Sequence, residues 1–242
     1  MENKKITAII PARGGSKGVP RKNIHNLAGF PLLAYSIVAC KKCTGIDRIV
    51  VSTDDRKIAE VAKQYGAEVP FLRPAEFAQD HSTDLEVIKH FYSIGGAQDL
   101  AFVRPTTPLR KAKVMDLFVE QYFKKREIIT GMRSAHELPE SPYKFFKIVD
   151  GIFTGFFDDF NGIKDYTNLP RQMFPKAYHP NGYLDILKKE TVLEGNDFGN
   201  QIMPAITEFI TEVDEGYHFG LLENQIQMGN YEIYQDLKND KY

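Results

Sequence analysis

The chain has 242 residues, 43% of them hydrophobic and 26% charged, and its 31 Lys and Arg against 32 Asp and Glu leave a net charge of −1. That is enough chain to bury a core without disulfides or a structural metal, and so even a charge balance argues against a dedicated nucleic-acid or membrane-surface binder. No run approaches the ~18 apolar residues of a membrane span. The opening MENKKITAIIPARGG has no secretory apolar segment, and two cysteines without a leader point to the reducing cytoplasm.

Strand and helix signals alternate over the first 135 residues. Lys5 to Pro11 reads as a short buried strand followed by a Gly-rich loop, and Pro31 to Lys42 as a helix with proline in its first turn. Asp47 to Thr53 is a β-branched strand. The next helix carries Ile58, Val61, Ala62 and Tyr65 on one face and stops at Gly66. Thr83 to Ile94 is a helix, Leu100 to Val103 a strand, Val114 to Tyr122 a helix and Glu127 to Met132 a strand. Such alternation predicts an α/β fold with a mostly parallel sheet and helices on both faces. Cys40 and Cys43 form a C-x-x-C near a helix end, without the further ligands that zinc needs, so they read as ordinary thiols.

After Ser134 the composition shifts to Pro, Phe, Tyr and Gly, with a hairpin turn expected at Asp150-Gly151. Residues 135–180 therefore read as a β-rich insertion into a core formed by 1–134 and 181–242. Its aromatic load (Tyr143, Phe145, Phe146, Phe153, Phe156, Phe157) exceeds what a small excursion can bury, which points to a subunit interface. The core resumes with strands at Tyr183 to Leu187 and Ile206 to Val213 and ends in a polar helical tail.

The chemistry concentrates in IIPARGGSKGVPRKNI, residues 9–24. Arg13, Lys17, Arg21 and Lys22 lie among Gly14, Gly15 and Gly18 immediately after the first strand. Open α/β sheets bind ligands at the carboxyl ends of their strands. Glycines there let backbone N–H groups approach an anion, and cations neutralise its charge, so the loop reads as a polyphosphate cradle. Neither the Walker A spacing nor the dinucleotide G-x-G-x-x-G is present, which sets aside P-loop and nicotinamide chemistry. There is no G-x-S-x-G for acyl transfer.

The loop resembles the N-terminal signature of the N-acylneuraminate cytidylyltransferases, the CMP-sialic acid synthetases. RPTTPLR at 104–110, RQMFPKAYHPNG at 171–182 and ITEVDEGYHF at 210–219 resemble further family segments in the same order. The resemblance implies a Rossmann-like nucleotidyltransferase that couples CTP to a nine-carbon 2-keto sugar acid with Mg²⁺ and releases pyrophosphate. It implies that Arg13, Gly14, Gly15, Ser16, Lys17 and Lys22 hold the triphosphate, that Asn23 orients the nucleotide, and that Arg73 and Ser82 contact the cytidine. It also implies a homodimer in which the insertion is an arm reaching the partner's site, bringing Lys144 and Arg171 to the sugar acid, with Asn181 and Gly182 passing close to it. The loop's SKG-x-P-x-KN favours the nine-carbon acceptors, of sialic, legionaminic or pseudaminic type, over an eight-carbon 3-deoxy-ulosonic acid or a sugar phosphate.

Glu212 and Asp214 are the candidate metal carboxylates, because residues i and i+2 of a strand share a face. With Arg13 and Lys22, Asp214 completes the expected catalytic set. Two departures from the family stand out. Its D-x-D with a third acid four residues on is here Glu212, Asp214 and His218, a poor Mg²⁺ ligand expected to take no direct role. These changes also feed a rival reading, a non-catalytic nucleotide-binding homologue. Its common QPTSPLR is here RPTTPLR, and Arg104 is open to three readings: a clasp on a sugar carboxylate, the mark of a different acceptor, or a structural salt bridge. Thr106 lies beside it among the sugar-facing candidates, while Thr107 and the flanking prolines shape the turn. Arg110 either binds phosphate or pairs locally. Of the histidines, His179 is the best placed, before the Pro180-Asn181-Gly182 turn.

Overall fold

The computed structural model describes residues 5–96 and 98–239. Residues 1–4, the start of the stretch without a secretory segment, and the last three residues of the polar tail lie outside the described residues. The first strand, β1 (Ile6–Pro11), is covered on both faces: Ala8 and Ile10 pack into one core and Ile9 into the other. Coverage on two faces is why it reads as a nearly unbroken apolar run. The short pair β2 (Asn26–Leu27) and β3 (Phe30–Pro31) leads into α1 (Leu32–Lys42), whose residues Leu32 to Cys40 are all buried.

Strand β4 (Ile46–Ser52) pairs parallel with β1. Helix α2 (Arg56–Gln64) opens at Asp55, whose carboxylate accepts from the N–H groups of Lys57 and Ile58 at 2.7 and 3.1 Å. Helix α3 (Asp84–Ser93) opens in a Thr83–Glu86 capping box. Then come β5 (Leu100–Phe102), α4 (Ala112–Lys125) and β6 (Gly131–Glu137). The expected strand at 127–132 is thus displaced towards the C-terminus. Arg126 keeps helical backbone angles and its Nε lies 2.6 Å from Asp99, so the helix runs on and the sheet is rejoined later.

The insertion leaves the sheet after Glu137. It folds as the hairpin β7 (Phe146–Val149) and β8 (Ile152–Gly155), with the turn at Asp150 and Gly151, both at positive φ. It returns through β9 (Tyr178–Pro180), which pairs with β6. Both ends of the expected 135–180 segment therefore belong to the main sheet, and 138–177 form the excursion proper. Part of its aromatic load packs internally, with Tyr143 stacked on Phe174 and Phe157 at ring distances of 5.1 and 4.4 Å. Phe145, Phe146, Phe153 and Phe156 stay exposed, and with Phe153 the hairpin's Ile148 and Ile152 are about 70% exposed.

Strand β10 (Asp185–Leu187), α5 (Lys189–Leu193), β11 (Ile202–Thr207), α6 (Tyr217–Met228) and α7 (Glu232–Lys238) complete the chain. The central sheet runs β11-β6-β10-β5-β1-β4. It is mostly parallel, as expected, with one reversed strand on this path: β10 lies antiparallel between β5 and β6. The reason is topological: the excursion starts and ends at the carboxyl end of β6, so the returning chain must run back down the sheet. Buried side chains of α3 and α5 fill one face and those of α1, α2, α4, α6 and α7 the other. Cys40 and Cys43 are buried free thiols, and burial pushes the Cys40 thiol up to about 12, which suits an inert core residue. Among the described residues no helix is long and apolar enough to cross a membrane.

Candidate active site

The carboxyl end of β1, the loop after β5 and the segment leading into α3 frame a cavity of about 390 Å³. Arg13, Ser16, Lys17, Gly18, Lys22 and Asn23 line it from the loop after β1, Arg73 and Ser82 from the segment before α3, and Arg104 and Thr106 from the loop after β5. The Gly-rich loop is braced from below: Gly14 N–H donates to Asp54 at 2.9 Å, and Asn23 Nδ2 donates to the Arg13 carbonyl at 2.9 Å. Asn23 is thus a buried brace that holds Arg13 in place. Gly18 is required by a close approach, since a Cβ there would run into the Asp214 carbonyl oxygen.

Arg13 and Lys17 converge on one carboxylate. Asp80 lies 3.0 Å from Arg13 and 2.7 Å from Lys17, while Arg13 also donates to the Gln79 carbonyl at 2.7 Å. The hydrogen bond from Lys17, with the charges of both cations, holds the Asp80 carboxyl below the usual carboxylate range. Two cations converging on an internal carboxylate form an anion-binding geometry, and a phosphate chain in the cradle competes with Asp80 for them. Asp80→Asn is therefore expected to lower the KM for a nucleoside triphosphate a few-fold, the scale of exposed ion pairs. Steady-state kinetics check this, and a raised KM would instead make Asp80 part of the binding set.

Arg73 and Ser82, expected at the ligand, and Arg110, whose role was left open, all make hydrogen bonds within the protein. Arg73 is buried: it donates to Ser52 Oγ at 3.0 Å, to the Ser52 carbonyl and to the Phe77 carbonyl at 3.4 Å. Burial pushes its pKa down to about 10, so it stays charged at neutral pH. Ser82 Oγ donates to the Glu76 carbonyl at 3.1 Å and accepts from Gln79 N–H at 3.0 Å. Arg110 is wholly buried, donating to the carbonyls of Tyr183, Arg104, Gly182 and Thr107 and to Ser36 Oγ. Of its two open roles, local pairing is the one observed.

Arg104 is held by Asp84 at 2.5 Å and Asp185 at 2.7 Å, and lies over the Phe102 ring. Burial alone would lower its pKa, but the two carboxylates outweigh it and the net shift is upward. A guanidinium neutralised twice is a poor clasp for a sugar carboxylate, so the structural salt bridge is the reading the geometry supports. Arg104→Met strips the buried Asp185 of its charge partner and is expected to lower stability by about 3 kcal/mol in urea titrations. Asn181 is buried and fully engaged: Nδ2 donates to Thr207 Oγ1 at 2.7 Å and its carbonyl accepts from Thr107 Oγ1 at 2.9 Å. Gly182 packs against Arg104. Lys144, donating to the Thr167 carbonyl at 3.2 Å, and Arg171 sit on the excursion, away from this cavity.

Glu212 and Asp214 are not in a strand. Strand β11 ends at Thr207, because from there the chain crosses to the loop after β5, where Val213 N–H donates to the Thr106 carbonyl at 2.8 Å. Both carboxylates line a second, wider groove of about 880 Å³ with His136, His179 and His218, and neither lines the cradle cavity; Asp214 meets the cradle through its backbone at Gly18. Partial burial, and then the Asp214 charge, raise the Glu212 pKa. A divalent cation beside this pair would offset the repulsion that Glu212 feels from Asp214. Mg²⁺ typically takes one or two protein carboxylates and completes its shell with phosphate and water, so the pair fits it.

Asp80, Asp84 and Asp185 escaped the sequence reading. Asp185 had a signal, a lone charge in the apolar strand YLDIL. Asp80 and Asp84 had none beyond the polar run QDHSTD.

A mixed sheet of this order, with a basic Gly-rich loop at the carboxyl end of its first strand, defines a nucleotide-binding α/β fold. The chain belongs to the cytidylyltransferase family, whose model matches residues 7–152. It is 31% identical to the N-acylneuraminate cytidylyltransferase of Escherichia coli O18:K1:H7 over 97% of this chain and 56% of that protein. It is 43% identical to the CMP-N,N'-diacetyllegionaminic acid synthase of Legionella pneumophila over 48% of this chain and 52% of that one. The chain spans about half the length of these two relatives. In fold it is similar to a CMP:2-keto-3-deoxy-manno-octonic acid synthetase complexed with CTP, with a TM-score of 0.69 at 12% identity over 93% of this chain and 99% of the other.

Proposed function

We propose that this chain is a CTP-dependent cytidylyltransferase that activates a nine-carbon 2-keto sugar acid of sialic, legionaminic or pseudaminic type and releases pyrophosphate. The observation that carries the reading is the convergence of Arg13, Lys17 and Lys22 on one cavity at the carboxyl end of β1, in a chain of this family. Attack of a sugar hydroxyl on the α-phosphorus is an in-line displacement, so catalysis is positioning and charge neutralisation. Arg13 and Lys17 take the phosphate oxygens now matched by Asp80, and Lys22 stabilises the charge growing on the leaving pyrophosphate. Gly14 N–H, tied to Asp54, fixes the loop's curvature, and Gly15 and Ser16 bring backbone close to the phosphates. Thr106, from the loop after β5, faces the same cavity from the acceptor side.

Glu212 and Asp214 would hold Mg²⁺, which when bound would supply charge neutralisation and a more acidic nucleophilic hydroxyl. The exposed apolar hairpin of the excursion supports a homodimer with arm exchange, and Lys144 and Arg171 travel with that arm towards the partner's sugar acid. The chemistry suits the cytoplasm, where CTP is made available.

The test is pyrophosphate release from CTP with Mg²⁺ and a panel of sialic, legionaminic, pseudaminic and eight-carbon keto-deoxy acids, repeated with ATP, GTP and UTP. Release with CTP and one nine-carbon acid supports the reading and names the acceptor. Release only with the eight-carbon acid moves the chain to that branch. Silence throughout, with CTP still binding in calorimetry, favours a non-catalytic nucleotide-binding homologue.

A further inference from the structure

The loop carrying Glu212 and Asp214 has no ladder to hold it, and its shape is set from outside. Val213 is pinned on both sides, its N–H to the Thr106 carbonyl at 2.8 Å and its carbonyl to Lys22 Nζ at 2.9 Å. The next two N–H groups, of Asp214 and Glu215, point at a single atom. Both donate to His218 Nδ1, at 3.1 and 3.0 Å. His218 is the second residue of α6, so its side chain folds back over the start of its own helix, in the sense of the acid of a capping box. Only a ring with the lone pair on Nδ1 and the hydrogen on Nε2 accepts both. Tyr217, whose ring centroid is 4.2 Å away, packs against it.

We propose that His218 is a positioning residue for the divalent-cation site: through Nδ1 it fixes the Asp214–Glu215 backbone and so sets where the Asp214 carboxylate is presented. A carboxylate in the same place would accept the same two N–H groups. It would also add a third negative charge beside Glu212 and Asp214, where Glu212 already feels the Asp214 charge. The imidazole supplies the acceptor without the charge. This gives the histidine, which the sequence left without a role, a hold on the N–H groups of both Asp214 and Glu215. The proposal rests on Glu212 and Asp214 being the metal carboxylates.

The test uses the full chain with CTP and Mn²⁺ in place of Mg²⁺, reading the affinity of the protein–CTP complex for the metal by water-proton relaxation, alongside kcat and KM. Asp214→Asn should abolish the protein-bound Mn²⁺ signal. His218→Leu should weaken Mn²⁺ binding by about tenfold, the lower end for residues that orient metal ligands, and lower kcat more than the KM for CTP changes. His218→Asn, whose Oδ1 takes the place of Nδ1, should restore binding to within about threefold of wild type; His218→Gln, whose amide reaches the place of Nε2, should not. The Asn and Gln pair keeps the test intact should the Leu variant fail to fold. Wild-type affinity in His218→Leu, or equal behaviour of Asn and Gln, overturns the positioning role while the metal site stands. Unchanged Mn²⁺ binding in Asp214→Asn overturns the metal site itself, and the role of His218 with it.

Discussion

Lys22→Ala is expected to lower kcat/KM for CTP by about 10²- to 10³-fold, the scale of losing one fixed donor aimed at developing charge. Two effects combine. An ammonium that lines the cradle cavity disappears, and the hydrogen bond from Nζ to the Val213 carbonyl, 2.9 Å long, is lost with it. That bond joins the cradle to the loop of Glu212 and Asp214, so cation and carboxylates are disturbed by one change. The fold should survive, because Lys22 is only partly buried and lies on a short 3-10 turn. Pyrophosphate release and a thermal melt on the same preparation check both halves. Activity within a few-fold of wild type, in a protein that melts normally, would remove Lys22 from the phosphate site.

Arg110→Met should have the largest effect on stability. The guanidinium is fully enclosed and donates to four backbone carbonyls and one hydroxyl, drawn from α1, the loop after β5 and the turn at Gly182 and Tyr183. Methionine fills much of the volume but leaves those buried acceptors without donors, at about 1–3 kcal/mol each. A total beyond about 5 kcal/mol is expected, and for a chain of this size a fall in Tm of about 10 °C or more. Arg110→Lys should recover little, because one ammonium cannot reach acceptors spread across a planar fork. Differential scanning calorimetry decides: a shift below about 3 °C for Arg110→Met would mean that water satisfies the carbonyls and that the arginine is not the hub.

These expectations separate residues that resemble one another on paper. Arg13, Arg73, Arg104 and Arg110 all fall in segments read as ligand-binding. Only Arg13 reaches an exposed anion position, through Asp80. Arg73 and Arg110 turn into backbone carbonyls, and Arg104 is caught between two aspartates. The spacing within a motif says that a guanidinium is needed near the strand end. It does not say whether that guanidinium faces the ligand or the protein.

Local structure was legible in the sequence alone. The apolar runs at 6–11 and 46–52 and the Ile58–Tyr65 stripe set strands and helices to within a few residues, because burial on two faces or one leaves its period in the side chains. The Asp150-Gly151 hairpin was equally legible, since positive φ at both turn positions restricts the residues that fit. The Gly-rich basic loop after β1 pointed to the cavity it lines, because close backbone approach and fixed cations call for those residue types.

Features that depend on distant partners emerged only from the assembled fold. β10 runs antiparallel because of where the excursion closes, a fact of topology with no trace in Tyr183 to Leu187. The stretch 206–213 has β-branched residues enough for a strand, yet the chain leaves the sheet at Thr207 because Thr106, Lys22 and His218 hold the backbone of residues 213–215 elsewhere. Hydrogen bonds and ion pairs formed across a hundred residues or more obey no period. The same holds for Asp80 and Asp185, whose cation partners lie more than sixty residues away, whereas His218 bonds N–H groups only three and four residues away and the fold decides which way its ring turns.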